Sequence, residues 1–312
     1  MHRMTSWTAA DIPDQQGRTV LITGANSGLG LRSAEALARA GAQVLLACRN
    51  PAKAAGALEA VEACATTGTP SVIPLDLADL SSVESAAAAV ADRVGHIDVL
   101  MNNAGVMAIP LRRTADDFEM QFGTNHLGHF ALTGRLLPLL LAATHPRVVS
   151  TSSQAHRIGK MRWDDLQWRN RYSKWMAYGQ SKLANLLFMF DLDRRAQREG
   201  SELISAAAHP GYASTHLQAA GPEMAGSALM ERTMAFGNRL VAQSDTDGAL
   251  PQLYAATMPD VTGGDYYGPS GPFEMRGSPK KVGCSGAARD ASAARRLWEI
   301  SEKETGVTYK WA

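Results

Sequence analysis

Cysteine is scarce in this chain of 312 residues, and the three present, Cys48, Cys64 and Cys284, are an odd number without close spacing. They support neither a disulfide framework nor a zinc cluster, and they fit a reducing compartment. An excess of charge is missing as well. The 31 Lys and Arg against 30 Asp and Glu leave a formal charge of +1, so no field points to nucleic acid or an anionic membrane as partner. Long hydrophobic runs are absent too. The longest, about Leu136 to Ala143, falls far short of the roughly 18 residues that cross a bilayer. The stretch from Met1 to Gln16 carries His2, Arg3, Asp11 and Asp14 and has no apolar core of the kind a signal peptide needs. These absences lead us to expect a cytoplasmic protein with no integral membrane association, no nucleic-acid partner and no metal. What the chain does have is 45% hydrophobic residues with only 6% aromatics, a balance that excludes disordered and fibrous classes and suggests Ala-rich helices on branched strands.

The length fits either two domains or one large α/β domain. No internal repeat, low-complexity linker or break in composition divides the chain, so the expectation is a tail over 1–16 and a single domain over 17–312. Short apolar runs alternate with helical stretches. Thr19 to Thr23, Val44 to Ala47, Ser71 to Leu75, Ile97 to Met101, Arg147 to Thr151 and Leu203 to Ala208 read as strands, which predicts βαβ units in a doubly wound parallel sheet with helices on both faces. Asn50-Pro51 looks like an N-cap followed by proline at the first helical position, and Ser81 to Glu84 has capping-box spacing. A helix is predicted from about Asp116 to Leu141, kinked at Pro138. Residues 212–245 read as a small helical substrate lid, and Asp265-Tyr266-Tyr267 as a last strand.

The strongest local signal is Thr23-Gly24-Ala25-Asn26-Ser27-Gly28-Leu29-Gly30, set between a predicted strand and a helix. Gly24 lets the chain leave the strand tightly, while Gly28 and Gly30 let a pyrophosphate approach the N–H groups at the helix start. The second strand ends in Cys48-Arg49, where an acidic side chain would accept from the ribose 2′-hydroxyl of NAD. No carboxylate stands there, and Arg49 offers a guanidinium to a 2′-phosphate, which favours NADP(H). Asp76-Leu77 and Asn102-Asn103-Ala104-Gly105 follow strands three and four, at the edge where open α/β sheets bind ligands. Tyr178 and Lys182 stand at i and i+4 on one helix face; a neighbouring cation favours phenolate and brings a tyrosine nearer to useful acid–base chemistry. Ser153, just past strand five, is placed to hydrogen-bond a carbonyl oxygen as charge grows on it.

Together these motifs resemble the short-chain dehydrogenase/reductase family from about Arg18 to Tyr267, and the stretches ACRN at 47–50, NHLGHF at 125–130, SSQAH at 152–156, YGQSKLANLLF at 178–188 and HPG at 209–211 resemble its retinol dehydrogenase branch. The resemblance implies a Rossmann fold and an oxidoreductase that passes hydride between NADP(H) and the carbon of a lipophilic aldehyde, ketone or alcohol. It implies that Tyr178 exchanges a proton with the substrate oxygen, Ser153 holds that oxygen, Lys182 lowers the Tyr178 pKa and binds the nicotinamide ribose, and Asn125 positions a water leading from Lys182 to solvent. Asn50, Pro210, Gly211 and Thr215 join the expected cofactor contacts. Two departures stand out: no N-terminal anchor of the kind many vertebrate members carry, and Ser150 where Asn is common before the catalytic serine. A non-catalytic NADP(H)-binding regulator, an enoyl reductase and an epimerase share the fold, and the intact Asn125, Ser153, Tyr178 and Lys182 set favours the carbonyl/alcohol enzyme. Of His126 and His129, at i and i+3, the family reading makes His126 a packing residue. Trp163, Trp168, Tyr172 and Trp175 read either as an aromatic wall to a substrate pocket or as satellite core. The substrate's identity and any homo-oligomer are left open.

Overall fold

The computed structural model describes residues 6–211 and 244–311. Thr215 lies outside the described residues, as does the expected 212–245 lid apart from Ser244 and Asp245, which open a helix. Eight strands form one sheet: β1 Thr19–Thr23, β2 Gln43–Cys48, β3 Ser71–Pro74, β4 Val99–Asn102, β5 Arg147–Thr151, β6 Ile204–Ala208, β7 Tyr266–Pro269 and β8 Pro279–Lys281. Their order is β3-β2-β1-β4-β5-β6-β7-β8, parallel except for β8, which runs antiparallel to β7. No periodicity betrays β8 in the sequence. It is three residues long, and its proline and two lysines suit a sheet edge, where they discourage pairing with another chain.

Helices α1 Gly28–Arg39, α2 Pro51–Glu62, α3 Leu80–Ala91, α4 Met120–Phe122, α5 Gly128–Leu141, α6 Lys174–Arg198, α7 Asp245–Thr257 and α8 Ala291–Thr305 cover the sheet. The period of two along the strands sorts the core. Val20, Ile22, Val44, Leu46, Val99, Met101 and Val149 face Leu37 of α1, Val61 of α2 and Leu253 of α7. Their neighbours Leu21, Leu45, Ile73, Leu100 and Val148 face Val83 of α3, Leu136 of α5, Phe188 of α6 and Trp298 of α8. Apolar residues on both sides explain why these strands read as continuous hydrophobic runs.

Two helix starts differ from expectation. Asp79, not Ser81, caps α3, its carboxylate accepting from the Ser81 and Ser82 amides, since a short carboxylate two residues before Ser81 reaches both orphan N–H groups at once. The helix expected from Asp116 begins at Met120. Asp117 adopts φ 63°, and the buried Glu119 carboxylate takes the Gln121 and Phe122 amides instead. Between α4 and α5 the chain makes a π-helical turn over Gly123–Leu127, a local widening that often marks a functional site. Pro138 lies inside α5 as read.

Candidate active site

The parallel register aligns Thr23 with Ala47, Cys48 with Pro74, Asn102 with Ser150 and Thr151 with Ala208. The segments that leave these strands therefore gather at one edge, around the gap where the strand order reverses between β1 and β4. Gly24 leaves β1 at φ 68°, and a Cβ there would stand 3.0 Å from that of Ala104. Asn103 braces the turn by donating from Nδ2 to the Thr23 carbonyl (2.8 Å), and the Asn103 and Ala104 amides both donate to Thr23 Oγ1 (2.9 and 3.0 Å). Asn26, Ser27 and Gly28 are half-buried. Ser27 stands at the N-cap of α1 without a side-chain cap, and around Gly28 the nearest atom to a built Cβ is Asp245 Oδ2 at 4.0 Å. This uncapped, roomy helix start fits the phosphates of a dinucleotide.

Gly30 has a packing purpose beside the phosphate approach expected of it. A Cβ there would fall 2.4 Å from the Gly24 carbonyl oxygen and 2.6 Å from Asn103 Nδ2, so its bareness lets α1 pack on its own turn. Leu29 is buried beside it. Arg49 projects from the end of β2 with its side chain 71% exposed, 3.9 Å from Asp76, while Cys48 beside it is buried and its thiol pushed up to about 11 by burial. Asp76 folds back on the Ala78 amide. Two further expected cofactor positions also carry structure: the Asn50 side chain caps α2 by accepting from the Lys53 amide, and the Leu77 side chain lies in the core. Pro210 and Gly211 follow β6, with Gly211 at φ 67° and its amide donating to His209 Nδ1.

On the other side of the gap, α6 carries Tyr178 and Lys182, both buried. Ser153, at the head of a 3-10 turn after β5, accepts from the Ala155 amide, and its hydroxyl lies near enough to the Tyr178 phenol to lower it. Lys182 Nζ donates to the Thr151 carbonyl (3.0 Å) and lies 5.7 Å from the centre of the Tyr178 ring. Here the electrostatics correct the expectation. Burial, not Lys182, dominates the phenol and pushes it up to about 12, with Ser153 pulling the other way. The same burial lowers the Lys182 ammonium to about 8, because loss of water disfavours whichever form is charged. Asn125 faces the same site. Its amide clamps Val106 through Oδ1 to the amide (2.8 Å) and Nδ2 to the carbonyl (2.9 Å), and Nδ2 also reaches Ser181.

The short chain dehydrogenase family model matches residues 18–225. The chain belongs to that family. It is 40% identical over 304 residues to "Retinol dehydrogenase 14" of Mus musculus, covering 93% of this chain and 86% of that protein. It is 39% identical to "Retinol dehydrogenase 13" of Homo sapiens, covering 93% and 85%. Among solved structures, an uncharacterized protein from Mycobacterium Paratuberculosis shares 45% identity with a TM-score of 0.80, covering 98% of this chain and 100% of that one. This retinol dehydrogenase-like member is thus a hydride-transferring oxidoreductase that works with a nicotinamide cofactor.

Several parts of the dehydrogenase's site have no local signal in the sequence. Gln252, buried on α7, donates to Ser33 Oγ (2.8 Å) and Asn103 Oδ1 (3.2 Å) and accepts from Thr151 Oγ1 (3.1 Å). It joins α1, the turn after β4 and the end of β5. The aromatic cluster between Ser153 and Tyr178 divides. Trp163 packs under Arg296 and Trp168 under Arg162, Tyr172 donates to the Ile109 carbonyl, and Trp175, 45% exposed, stands edge-on to Tyr178. Of the four, Trp175 is the one beside Tyr178. His126 donates to Ser301 of α8 and packs against Phe122, its pKa lowered to about 3 by burial. Among the described residues no three His, Cys, Asp or Glu are grouped to hold a metal, and no helix is long and apolar enough to cross a membrane.

Proposed function

We propose that this dehydrogenase interconverts a carbonyl and an alcohol on a lipophilic aldehyde, ketone or alcohol, with NADP(H) as cofactor. The observation that carries the reading is the meeting, at one sheet edge, of an uncapped α1 N-terminus with Ser153 beside Tyr178 and Lys182 one helical turn on. The Ser27–Leu29 amides would hold the phosphates, and Arg49 the 2′-phosphate. The cofactor, when bound, supplies or accepts the hydride. Ser153 orients the substrate oxygen, and Tyr178 gives it a proton during reduction. With its phenol held near 12, Tyr178 is a protonated donor throughout the neutral range, an arrangement suited to reduction. Lys182 keeps a positive charge below about pH 8 beside the oxygen on which negative charge develops. Following NADPH absorbance with a panel of aldehydes and ketones tests the reading. No turnover of any of them would overturn it.

Arg49 should set the cofactor preference. A charge-assisted contact of roughly 1.5 to 3 kcal/mol corresponds to about ten- to a hundredfold in affinity. Arg49→Ala should weaken NADPH binding by that factor and leave NADH nearly unchanged, as read by calorimetric titration. Equal dissociation constants for the two cofactors in the unaltered protein would defeat the assignment. The single change is the cleaner test, since Cys48 is buried and an acid there would enter the core.

A lipophilic substrate is supported by the half-exposed Trp175 beside Tyr178 and by the composition of the segment after Pro210-Gly211, with Leu217, Met224, Leu229, Met230, Met234, Phe236 and Leu240. Methionine adapts to varied apolar shapes. Each methylene buried is worth about 0.8 kcal/mol, so kcat/KM should climb about fourfold per carbon over the first extensions of a straight-chain aldehyde series. A flat or falling series would contradict a lipophilic pocket.

A further inference from the structure

The α5 residue His129 is buried, bears no role in the chemistry above, and is bonded at both ring nitrogens. Its Nδ1 lies 3.0 Å from the Asn125 carbonyl oxygen, an atom that only accepts, so Nδ1 carries the proton. Burial lowers its pKa to about 4, with the Lys182 charge adding to the effect, and the ring is therefore neutral. Its Nε2 then accepts from the Thr23 hydroxyl at 2.8 Å. That hydroxyl oxygen in turn receives the Asn103 and Ala104 amides. A continuous chain of hydrogen bonds thus runs from the turn after β4, through Thr23 at the end of β1 and across His129, to the π-helical turn that carries Asn125. Beyond it, the Asn125 side chain holds Val106 and Ser181, the latter adjacent to Lys182. The remaining neighbour is tight as well: a Cβ on Gly105 would stand 3.0 Å from Asn125 Oδ1 and 3.5 Å from Lys182 Nζ.

We infer that His129 is a positioning residue, a neutral strut that fixes the distance between the cofactor-binding turn at Thr23-Gly24 and Asn103-Ala104 and the catalytic side at Asn125 and Lys182. The π turn strengthens the assignment. Its altered backbone pairing brings the Asn125 carbonyl within reach of an imidazole four residues on, and only a group with a donor and an acceptor on opposite edges joins that carbonyl to a hydroxyl. Phenylalanine fills the volume and makes neither bond. Asparagine can restore the Nδ1 donor to Asn125 without reaching Thr23, and glutamine can reach Thr23 without serving Asn125. A misplacement of about 1 Å between reacting groups costs up to roughly a hundredfold in rate. The effect should therefore fall on kcat more than on binding.

This inference rests on the carbonyl/alcohol reading for its kinetic arm alone. In the exchange arm, hydrogen–deuterium exchange of the unliganded His129→Phe protein should quicken at Asn103-Ala104, Val106 and 123–127 while β2, β3 and α2 stay at wild-type rates. In the kinetic arm, on an aldehyde the wild type reduces, His129→Phe should lose about 10- to 100-fold in kcat, with the KM for NADPH within about threefold. His129→Asn and His129→Gln should each recover part of that loss. If the wild type turns over no carbonyl compound, the functional reading fails while the exchange arm still decides the strut. Uniform acceleration of exchange over the whole sheet, or a kcat in His129→Phe within twofold of wild type, would overturn the inference.

Discussion

Replacing Tyr178 by Phe should abolish nearly all turnover while leaving the protein folded and NADPH binding within a few fold. The ring keeps its buried place, its edge-on neighbour Trp175 and its Lys182 overlay. What disappears is one hydroxyl beside Ser153, at a stability cost of about 1 kcal/mol. The loss of a positioned general acid costs roughly 10² to 10⁴ in rate. The pH dependence sharpens the expectation. Burial holds the phenol at about 12, so the donor keeps its proton across the neutral range, and the reductive rate of the wild type should be flat from about pH 6 to 7 and fall through about 8 as Lys182 loses its charge. Alcohol oxidation needs the phenolate and should rise with pH over the same interval. Initial rates in both directions, with NADPH and NADP⁺ on one aldehyde/alcohol pair, measure this. A Tyr178→Phe enzyme that keeps more than a tenth of wild-type reductive activity would remove Tyr178 from the role of proton donor.

The central strands β1, β2, β4 and β5 were legible because each is an apolar run buried on both faces, and their ends carry the turns at Gly24, Asn103 and Ser153 that mark the ligand edge. The pairing of Tyr178 with Lys182 was legible because four residues make one helical turn. What escaped was whatever depends on partners distant in the chain. His129 takes its meaning from Thr23, 106 residues away, and Gln252 from Ser33, 219 residues away. Neither lies in a spacing that announces them. Asn50 shows a different ambiguity. The same residue read as a helix cap and as a cofactor contact, and the cap is the one seen, in the bond to the Lys53 amide. The sign of the catalytic electrostatics was hidden for a third reason, since a motif shows which charges are adjacent but not how much water they lose.

That desolvation makes Lys182 the place where activity and stability should part. Its ammonium falls from 10.5 to about 8 through burial, a shift corresponding to about 3 kcal/mol. The sign follows from proton counting. At pH 7 the residue is charged in both the folded and the unfolded chain, so the full penalty weighs on the fold. Between about 8 and 10.5 the folded chain gives up the proton that the unfolded chain still holds, and stability rises with pH. Methionine matches the side chain's length without its charge, and the Thr151 carbonyl left behind keeps the Asn185 amide as donor at 3.0 Å. Lys182→Met should therefore be more stable than wild type at pH 7 by roughly 1 to 2 kcal/mol once the lost bond to Thr151 is subtracted. That is a Tm higher by about 2 to 8 °C. The advantage should shrink as the wild type is taken from pH 8 toward 10. Turnover should fall about 10²- to 10³-fold, as expected when a preorganised cationic donor is removed from the developing charge. Paired denaturation curves at pH 7 and 9.5 together with kcat decide it: a Lys182→Met protein less stable than wild type at pH 7, or a gap that does not change with pH, would mean that the buried ammonium is not held at the cost of the fold.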